Sequence, residues 1–299
     1  MLQESQFEIG GYRFGRDLPV EVTVFDVAGA ETQVGDLDLP GQDGTVFGRD
    51  TKTGSELTFE LSVNTRTPDD AKHEWGELST RWDAATVRSR PRQVVPLRIR
   101  TPGQRSVVVY GRPRSLERTS SLALMKVGRI DAVATFQCAD AYFYADTGVD
   151  GEGGARSITL TLVTSAGSGG IVWPVTWPLV WGTQGMRQDT VVNSGDSPSW
   201  PVITFRGPVA QPSIELVGTG RRLSLDTTLA YDRSITIDTR PWARTILRDD
   251  GASFAGVARG ASLAEFQLPV GQTVLAYRGT DLSGQSRCVI TWRDAYTTP

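Results

Sequence analysis

The chain of 299 residues is poor in the residues that most often build catalytic, metal and disulfide sites. It has one histidine, His73, and two cysteines, Cys138 and Cys288. Two cysteines are too few for a disulfide scaffold, and a zinc site would lack ligands. Each cysteine lies in a strand-like run, which predicts a buried, small apolar side chain. A single histidine leaves little room for any mechanism that depends on histidine.

Motifs of enzymes and metal sites are absent or incomplete. In His73-Glu-Trp-Gly-Glu77 a glutamate stands where the zinc motif His-Glu-x-x-His needs a second histidine, which favours a solvated helix residue. There is no Gly-x-Ser-x-Gly elbow and no phosphate loop. Asp146-Thr-Gly148 has the letters of an aspartic-protease turn but continues into a glycine-rich linker. The acidic run 36–43 lacks the ligand order of a calcium loop and is interpreted as a turn. We therefore expect no enzymatic activity and no cofactor.

Long apolar runs are also missing. No stretch reaches the ~18 residues of a membrane-spanning helix. The amino terminus, Met1-Leu-Gln-Glu, lacks the basic and apolar segments of a signal peptide, so we expect cytoplasmic synthesis without membrane insertion. The length allows two domains or one large β-fold.

Charge is distributed unevenly, although the net charge is only −3. Residues 1–80 carry six Lys or Arg against sixteen Asp or Glu, whereas residues 81–130 carry twelve against two. This indicates either two solvated faces that differ or a head-to-tail contact between an acidic and a basic surface of neighbouring subunits. DNA phosphates are a weaker alternative, because the basic run has few aromatic residues. The arginines predicted to lie at an interface are Arg88, Arg90, Arg92, Arg98 and Arg100.

Strand patterns dominate the sequence. In Ser55–Val63 the residues Leu57, Phe59, Leu61 and Val63 alternate with polar ones, which is typical of a half-buried strand. The alternation recurs at 158–162, 214–216, 223–225, 235–237 and 288–292, between clusters of Gly, Asp, Asn and Pro. These spacings predict antiparallel β-sandwiches.

One helix is predicted after Asn64. Thr67 suits its N-cap and Pro68 its first turn, where Asp69 and Asp70 complement the helix dipole. The apolar residues at helical spacing are Ala71, Trp75, Leu78, Trp82 and Ala85. Two tryptophans should therefore pack onto a sheet, although Gly76 weakens the middle of the helix.

A tryptophan stands at every fourth position of residues 169–182, with proline beside two of them. Pro174 and Pro178 exclude a helix, so an extended segment is predicted. Its Trp173, Trp177 and Trp181 are expected to be packing anchors and further interface candidates. The glycine-rich, acidic stretch 146–156 is predicted to link an amino-terminal domain, 1–145, to a carboxy-terminal domain, 157–299.

Several motifs occur in a characteristic order. They are Leu39-Pro-Gly-Gln-Asp-Gly-Thr-Val-Phe-Gly-Arg-Asp50, the tryptophan-proline segment 169–182, Asn193-Ser-Gly-Asp-Ser-Pro-Ser-Trp-Pro201, Gly207-Pro208, Leu268-Pro-Val-Gly271 and Trp292-Arg-Asp-Ala-Tyr296. In this order they resemble the distal tail proteins of bacteriophages with long, non-contractile tails, particularly minor tail proteins of actinobacteriophages. The motifs fall in both halves of the chain.

The resemblance implies a mainly β protein with an amino-terminal β-sandwich belt domain containing one helix, and a carboxy-terminal galectin-like antiparallel β-sandwich. It also implies a structural protein of the virion tail tip that assembles as a hexameric ring and joins the tail tube to the tail-tip hub or baseplate. Implied partners are further copies of the chain, the tail tube protein, the hub protein and receptor-binding or other minor tail proteins. DNA would only pass through the channel of the ring.

An alternative is a carbohydrate-binding module that uses exposed tryptophans for host adsorption, since indole rings stack on sugar faces. Trp200 and Trp242 would join the three tryptophans of 169–182 in such a groove. Galectins bind sugar through a histidine-centred polar set, however, and the carboxy-terminal half has no histidine.

Overall fold

The computed structural model describes residues 2–41, 43–146, 154–162, 187–281 and 283–299. The chain forms two compact units, the first comprising Met1–Thr147 with Tyr296–Pro299 and the second Gly148–Ala295. The tryptophan-proline segment 169–182, with Trp173, Trp177 and Trp181, lies outside the described residues, as does most of the predicted linker. The prediction of a mainly β protein is confirmed, because half of the residues lie in strands and the sheets are antiparallel.

The first unit is built mainly on one antiparallel sheet. Its strands are β1 Gln6–Ile9, β2 Tyr12–Gly15, β3 Val20–Ala28, β4 Thr32–Gln33, β5 Leu37–Asp38, β6 Thr45–Val46, β7 Thr51–Lys52, β8 Glu56–Asn64, β9 Val95–Arg100, β10 Ser106–Arg118, β11 Arg129–Cys138 and β12 Phe143–Ala145. The large sheet has the order β2-β1-β9-β10-β11-β8-β3, and β12 pairs with β10. The alternation predicted for β8 is confirmed, since Leu57, Phe59, Leu61 and Val63 are all buried in one core.

Helix α1, Pro68–Asp83, packs on this sheet as predicted. The Thr67 hydroxyl accepts a hydrogen bond from the backbone N–H of Asp70 at 3.2 Å, which satisfies one free donor of the first turn. Ala71, Leu78 and Trp82 form the buried face. The helix ends at Ala84, whose φ of 42° lies in the left-handed region. Two short helices, α2 Ala85–Arg88 and α3 Leu122–Lys126, occur elsewhere in the unit.

The second unit is a sandwich of two antiparallel sheets. The strands of its two sheets are β13 Arg156–Thr161, β14 Gln188–Asn193, β15 Val202–Arg206, β16 Val209–Leu216, β17 Arg221–Leu225, β18 Thr228–Leu229, β19 Ser234–Asp238, β20 Thr245–Arg248, β21 Ala258–Gly260, β22 Gly271–Thr280 and β23 Arg287–Trp292. The last strand of the chain, β24 Ala295–Tyr296, belongs to neither of these sheets. One sheet has the order β13-β23-β15-β19-β20 and the other β14-β22-β16-β17-β21, with β18 beside β16. A single core joins them, in which Phe205 of the first sheet stacks on Tyr277 of the second at 5.6 Å between ring centroids.

Both cysteines are buried and free, as predicted. Burial raises the pKa of the Cys138 thiol to about 12, and the nearby Asp140 carboxylate adds to the effect. Cys288 is fully buried, and its pKa is raised for the same reason. These thiols therefore act as small apolar side chains. No helix in the described part of the chain is long and apolar enough to cross a membrane.

Asp140 is a buried carboxyl group between β11 and β12. It accepts hydrogen bonds from the Tyr144 hydroxyl at 2.5 Å and from the backbone N–H of Tyr142 at 3.2 Å. Burial raises the pKa of Asp140 to about 6, although both hydrogen bonds favour its ionised form. The protonation of Asp140 is thus coupled to the folding of the first unit.

We expect this coupling to lower stability by roughly 2 kcal/mol between pH 4 and pH 7. The pKa of Asp140 is raised from 3.8 to about 6 on folding, so its contribution is complete below pH 3.8 and is lost as the pH rises through 6. The Asp140→Asn variant should lose this dependence, which urea unfolding at pH 4, 5, 6 and 7 would measure. The exposed Asp69→Asn change is the control and should keep the wild-type dependence. Equal pH dependence for wild type and Asp140→Asn would contradict the prediction.

Candidate assembly surfaces

Residues 29–54 form a two-stranded extension of the β3–β8 pair, which we call the hairpin arm. Strands β4 and β7 pair at its base, and β5 and β6 pair further out. Gly35 and Gly48 face each other between the two ladders, where a Cβ atom on Gly48 would lie only 1.9 Å from the Gly35 carbonyl oxygen. Only glycine allows the strands to approach so closely. The sequence predicted a turn over 36–43, but Leu37–Asp38 belongs to strand β5.

The hairpin arm exposes more apolar surface than a solvated loop requires. Every described residue from 31 to 52 is exposed. The large apolar side chains among them are Val34, Leu37, Leu39, Val46 and Phe47. Phe47 is 83% exposed and Leu37 is 65% exposed. Clustered exposed apolar side chains are typical of protein–protein contact sites.

The same arm is acidic. It contains five acidic residues and only two basic ones. The acidic residues are Glu31, Asp36, Asp38, Asp43 and Asp50, and the basic ones are Arg49 and Lys52. None of the ion pairs in the described ranges includes any of these seven side chains. The arm therefore presents apolar surface within a field of unneutralised carboxylates, which suits a basic partner surface.

A basic surface follows α1 in the same unit. Arg88 ends α2 and forms an ion pair with Asp83 at 2.6 Å, while Arg90 and Arg92 are exposed in the following loop. The Arg112 guanidinium holds this loop by donating to the backbone oxygens of Arg90 at 2.5 Å and Gln93 at 2.8 Å. Three of the predicted interface arginines, Arg88, Arg90 and Arg92, are therefore exposed within one segment of five residues.

Beside this loop lies a recess of about 270 Å³, which we call the arginine recess. Arg92, Arg112 and Arg114 line it together with Gln93 and Gln137, and no carboxylate is among its described lining residues. A shallow cavity walled by three guanidinium-bearing residues favours an acidic partner segment.

Arg98 and Arg100, the other predicted arginines, have partners within the chain. Arg98 on β9 bridges Glu8 at 3.2 Å and Asp146 at 2.8 Å, because β1 pairs with β9. Its hydrogen bond to Asp146 is the main cause that raises the pKa of Arg98. Burial opposes ionisation of Glu8, but hydrogen bonds from Arg13 and Arg98 hold the pKa of Glu8 below its usual value. Arg100 donates to the backbone oxygen of Leu2 at 2.7 Å.

Asp146, the first residue of the predicted linker, is buried. Besides Arg98, the Ser106 hydroxyl donates to its carboxylate at 2.8 Å. Partners from β9 and β10 thus hold this carboxylate, although the sequence assigned Asp146 to the glycine-rich linker. His73 is an exposed residue of α1, as predicted, and no metal-binding group of His, Cys, Asp and Glu occurs in the part of the chain that the structure describes.

The described tryptophans of the second unit do not form a stacking platform. Trp200 is only 8% exposed and Trp292 only 5%. The Trp292 indole N–H donates to the backbone oxygen of Val192 at 3.1 Å. Trp242 is half-buried, with the Arg240 guanidinium 5.4 Å from the centroid of its ring. The predicted carbohydrate groove therefore loses Trp200, whose ring is buried.

The chain aligns with solved bacteriophage structures along almost its whole length. It is similar to the Dit (gp 19.1) protein of phage SPP1, which is described as a paradigm of the hub adsorption apparatus in phages that infect Gram-positive bacteria. The TM-score of this match is 0.56 and the sequence identity is 15%, and the alignment covers 97% of this chain and 98% of that one. It is also similar to chains of the phage P2 baseplate in its activated conformation, solved with Ca and with Sr, with TM-scores of 0.52 and 0.51, 13% identity, and coverage of 96% and 97%. No family model and no curated protein matches the sequence. The predicted resemblance to distal tail proteins is confirmed at the level of fold.

Proposed function

We propose that this protein is a structural component of a bacteriophage tail tip, in which copies of the chain form a ring. The observation that carries the proposal is the fold match with the hub adsorption protein of phage SPP1, which covers 97% of this chain and 98% of that one. Both units of the chain are therefore included in the match, and the phage P2 baseplate provides a second comparison of the same extent.

The first unit carries surfaces suited to self-assembly. The acidic, apolar hairpin arm of one subunit contacts the arginine recess and the loop of Arg88, Arg90 and Arg92 on the next. This contact is heterologous, because two different surfaces of each subunit meet, and such contacts close into a ring when the rotation permits. We assign six subunits to the ring on the resemblance to distal tail proteins.

The ring joins the tail tube protein on one side to the tail-tip hub on the other and leaves a channel for the genome. Receptor-binding or other minor tail proteins attach to the second unit, and the protein is located in the virion at the tail tip. This role depends on shape and surface charge and requires neither a catalytic residue nor a cofactor.

Electron microscopy of the purified chain tests the proposal. We expect particles with six-fold symmetry and a central opening at low salt, together with a hexamer mass by sedimentation. A stable ring requires a subunit contact above about 1,200 Å². A chain that remains monomeric at all concentrations and salt conditions, with no incorporation into tail particles, would overturn the proposal.

A further inference from the structure

A second concave surface lies on the outer face of the β14-β22-β16-β17-β21 sheet, in the second unit. This recess has a volume of about 500 Å³, within the usual range of small-ligand sites. Its polar lining residues are Gln211, Arg222, Ser224, Asp226, Arg259 and Thr280. We call it the outer recess.

The backbone creates this recess in two ways. The pairing of β16 with β22 shifts register between Ala210 and Ser213, and Gln211 there has a left-handed φ of 49°. Opposite the bulge stands Gly279, where a Cβ atom would lie 2.7 Å from Cγ2 of Val209. A bulge that faces a glycine leaves space where two regular strands would place side chains.

Arg222 and Arg259 form one wall. Ser224 of β17 lies opposite Arg259 of β21, so Arg222, two residues before Ser224, is a diagonal neighbour of Arg259 on the same sheet face. Leu223 and Leu225 alternate with them and are buried in the core. Two guanidinium groups are thus presented together at the outer recess.

Both guanidinium groups are held by neutral oxygen atoms. Arg222 donates to the hydroxyl of the fully buried Ser213 at 2.9 Å. Arg259 donates to the backbone oxygens of Gly256 and Ala258, each at 2.9 Å. Neither arginine takes part in an ion pair within the described ranges. Neutral groups therefore set their orientation, and Glu215, which lies opposite Arg222 in the β16–β17 register, forms its ion pair with Arg278 at 3.0 Å instead.

The other polar side chains of the lining can form hydrogen bonds. Asp226 and Gln211 provide acceptors, and Gln211 and Thr280 provide donors, whereas the Ser224 hydroxyl donates to the backbone oxygen of Arg259 at 3.3 Å. The described lining contains no aromatic ring, so recognition by ring stacking is not available at this site. The chemistry combines fixed positive charge with several groups able to bind hydroxyls.

We propose that the outer recess binds an anionic, hydroxyl-rich ligand, namely a saccharide or polyol unit that carries a carboxylate or a phosphate. Arg222 and Arg259 bind the anionic group, since guanidinium pairs well with planar carboxylates and with phosphates. Asp226, Gln211 and Thr280 bind the hydroxyls. The carboxylate source would be a uronic-acid glycan and the phosphate source a polyol-phosphate polymer. This inference does not depend on ring formation.

The full chain can be titrated by calorimetry with three probes: digalacturonate, glycerol 3-phosphate and neutral methyl glucoside. We expect saturable binding of at least one anionic probe, weakened by added salt, and no binding of the neutral sugar. Arg259→Gln should weaken binding at least ten-fold, and so should Arg222→Gln. The matched control is Arg221→Gln, which removes an exposed arginine of the same strand outside the lining and should bind as wild type.

Arg259→Gln decides the test if Arg222→Gln fails to fold, because only the Arg222 substitution removes the hydrogen bond to the buried Ser213 hydroxyl. Binding of digalacturonate alone would indicate a uronic-acid source, and binding of glycerol 3-phosphate alone a polyol-phosphate source; both support the proposal. The proposal is overturned if no anionic probe binds, if methyl glucoside binds equally well, or if Arg259→Gln and Arg221→Gln have the same effect.

Discussion

We expect the Trp82→Ala variant to lower the free energy of unfolding of the first unit by about 3–5 kcal/mol. Trp82 is 4% exposed, and its ring packs at steep angles against Phe59 at 5.9 Å and against Phe14 and Phe136 at 6.4 Å between centroids. Its indole N–H also donates to the backbone oxygen of Ser115 at 2.7 Å. Alanine would leave a cavity among three phenylalanines and remove that hydrogen bond. Urea unfolding followed by near-ultraviolet circular dichroism would measure the loss.

Trp75→Ala is the matched control for this variant. It removes the same side chain from the same helix, but Trp75 is only partly buried at the margin of the core. Its loss should therefore be less than half that of Trp82→Ala, because less apolar surface returns to water. Trp82→Phe should fall between them, since it keeps most of the ring and loses the hydrogen bond. Equal losses for the two alanine variants would show that Trp82 is not the anchor of α1.

Local patterns predicted the elements of this fold better than their arrangement. Alternation is a property of neighbouring residues, so it identified β8, and side-chain capping identified the start of α1 at Thr67. The order of the large sheet depends on contacts between distant segments, such as β1 with β9, for which the sequence contains no local signal. Helices α2 and α3 have four and five residues, too few for a helical repeat to be recognised.

The candidate surfaces were predicted only in part, again because contacts between distant segments leave no local signal in the sequence. The charge balance located an acidic and a basic segment, but it could not distinguish free charges from those paired within the chain. Arg98 meets Glu8 only because β1 and β9 are neighbours, whereas Arg90 and Arg92 remain on the surface. The hairpin arm was missed because its strands have two residues each, and the Gly35–Gly48 approach becomes visible only in three dimensions. Its exposed Phe47 could have been noticed as an apolar residue among glycines and charges.

A second large effect is expected for assembly. Changing Arg88, Arg90 and Arg92 together to Glu should abolish the ring under conditions where the wild type forms it. The variant would place three carboxylates opposite the acidic hairpin arm, and like charges at a contact cost several kcal/mol. Asp83, the present partner of Arg88, would add repulsion within the chain. Sedimentation and electron microscopy at matched protein concentration would measure the change, and raising the salt should weaken the wild-type ring in the same direction.

The control and the rescue separate this contact from a general effect of charge. Arg206, Arg221 and Arg287 are exposed in the second unit, so the same triple change there alters the net charge equally and should leave the ring intact. On the arm, the carboxylates of Glu31, Asp43 and Asp50 take part in none of the hydrogen bonds of the described residues, and Glu31 is bonded to Thr53 through its backbone only. Changing these three residues to Lys should restore the ring of the Arg88, Arg90 and Arg92 variant. Rescue requires that the two sets of residues face each other across the subunit contact. This pair of surfaces would be excluded if the first triple variant still forms the ring. It would also be excluded if that variant loses the ring and the lysines do not restore it. In either case ring formation would have to be explained by another contact.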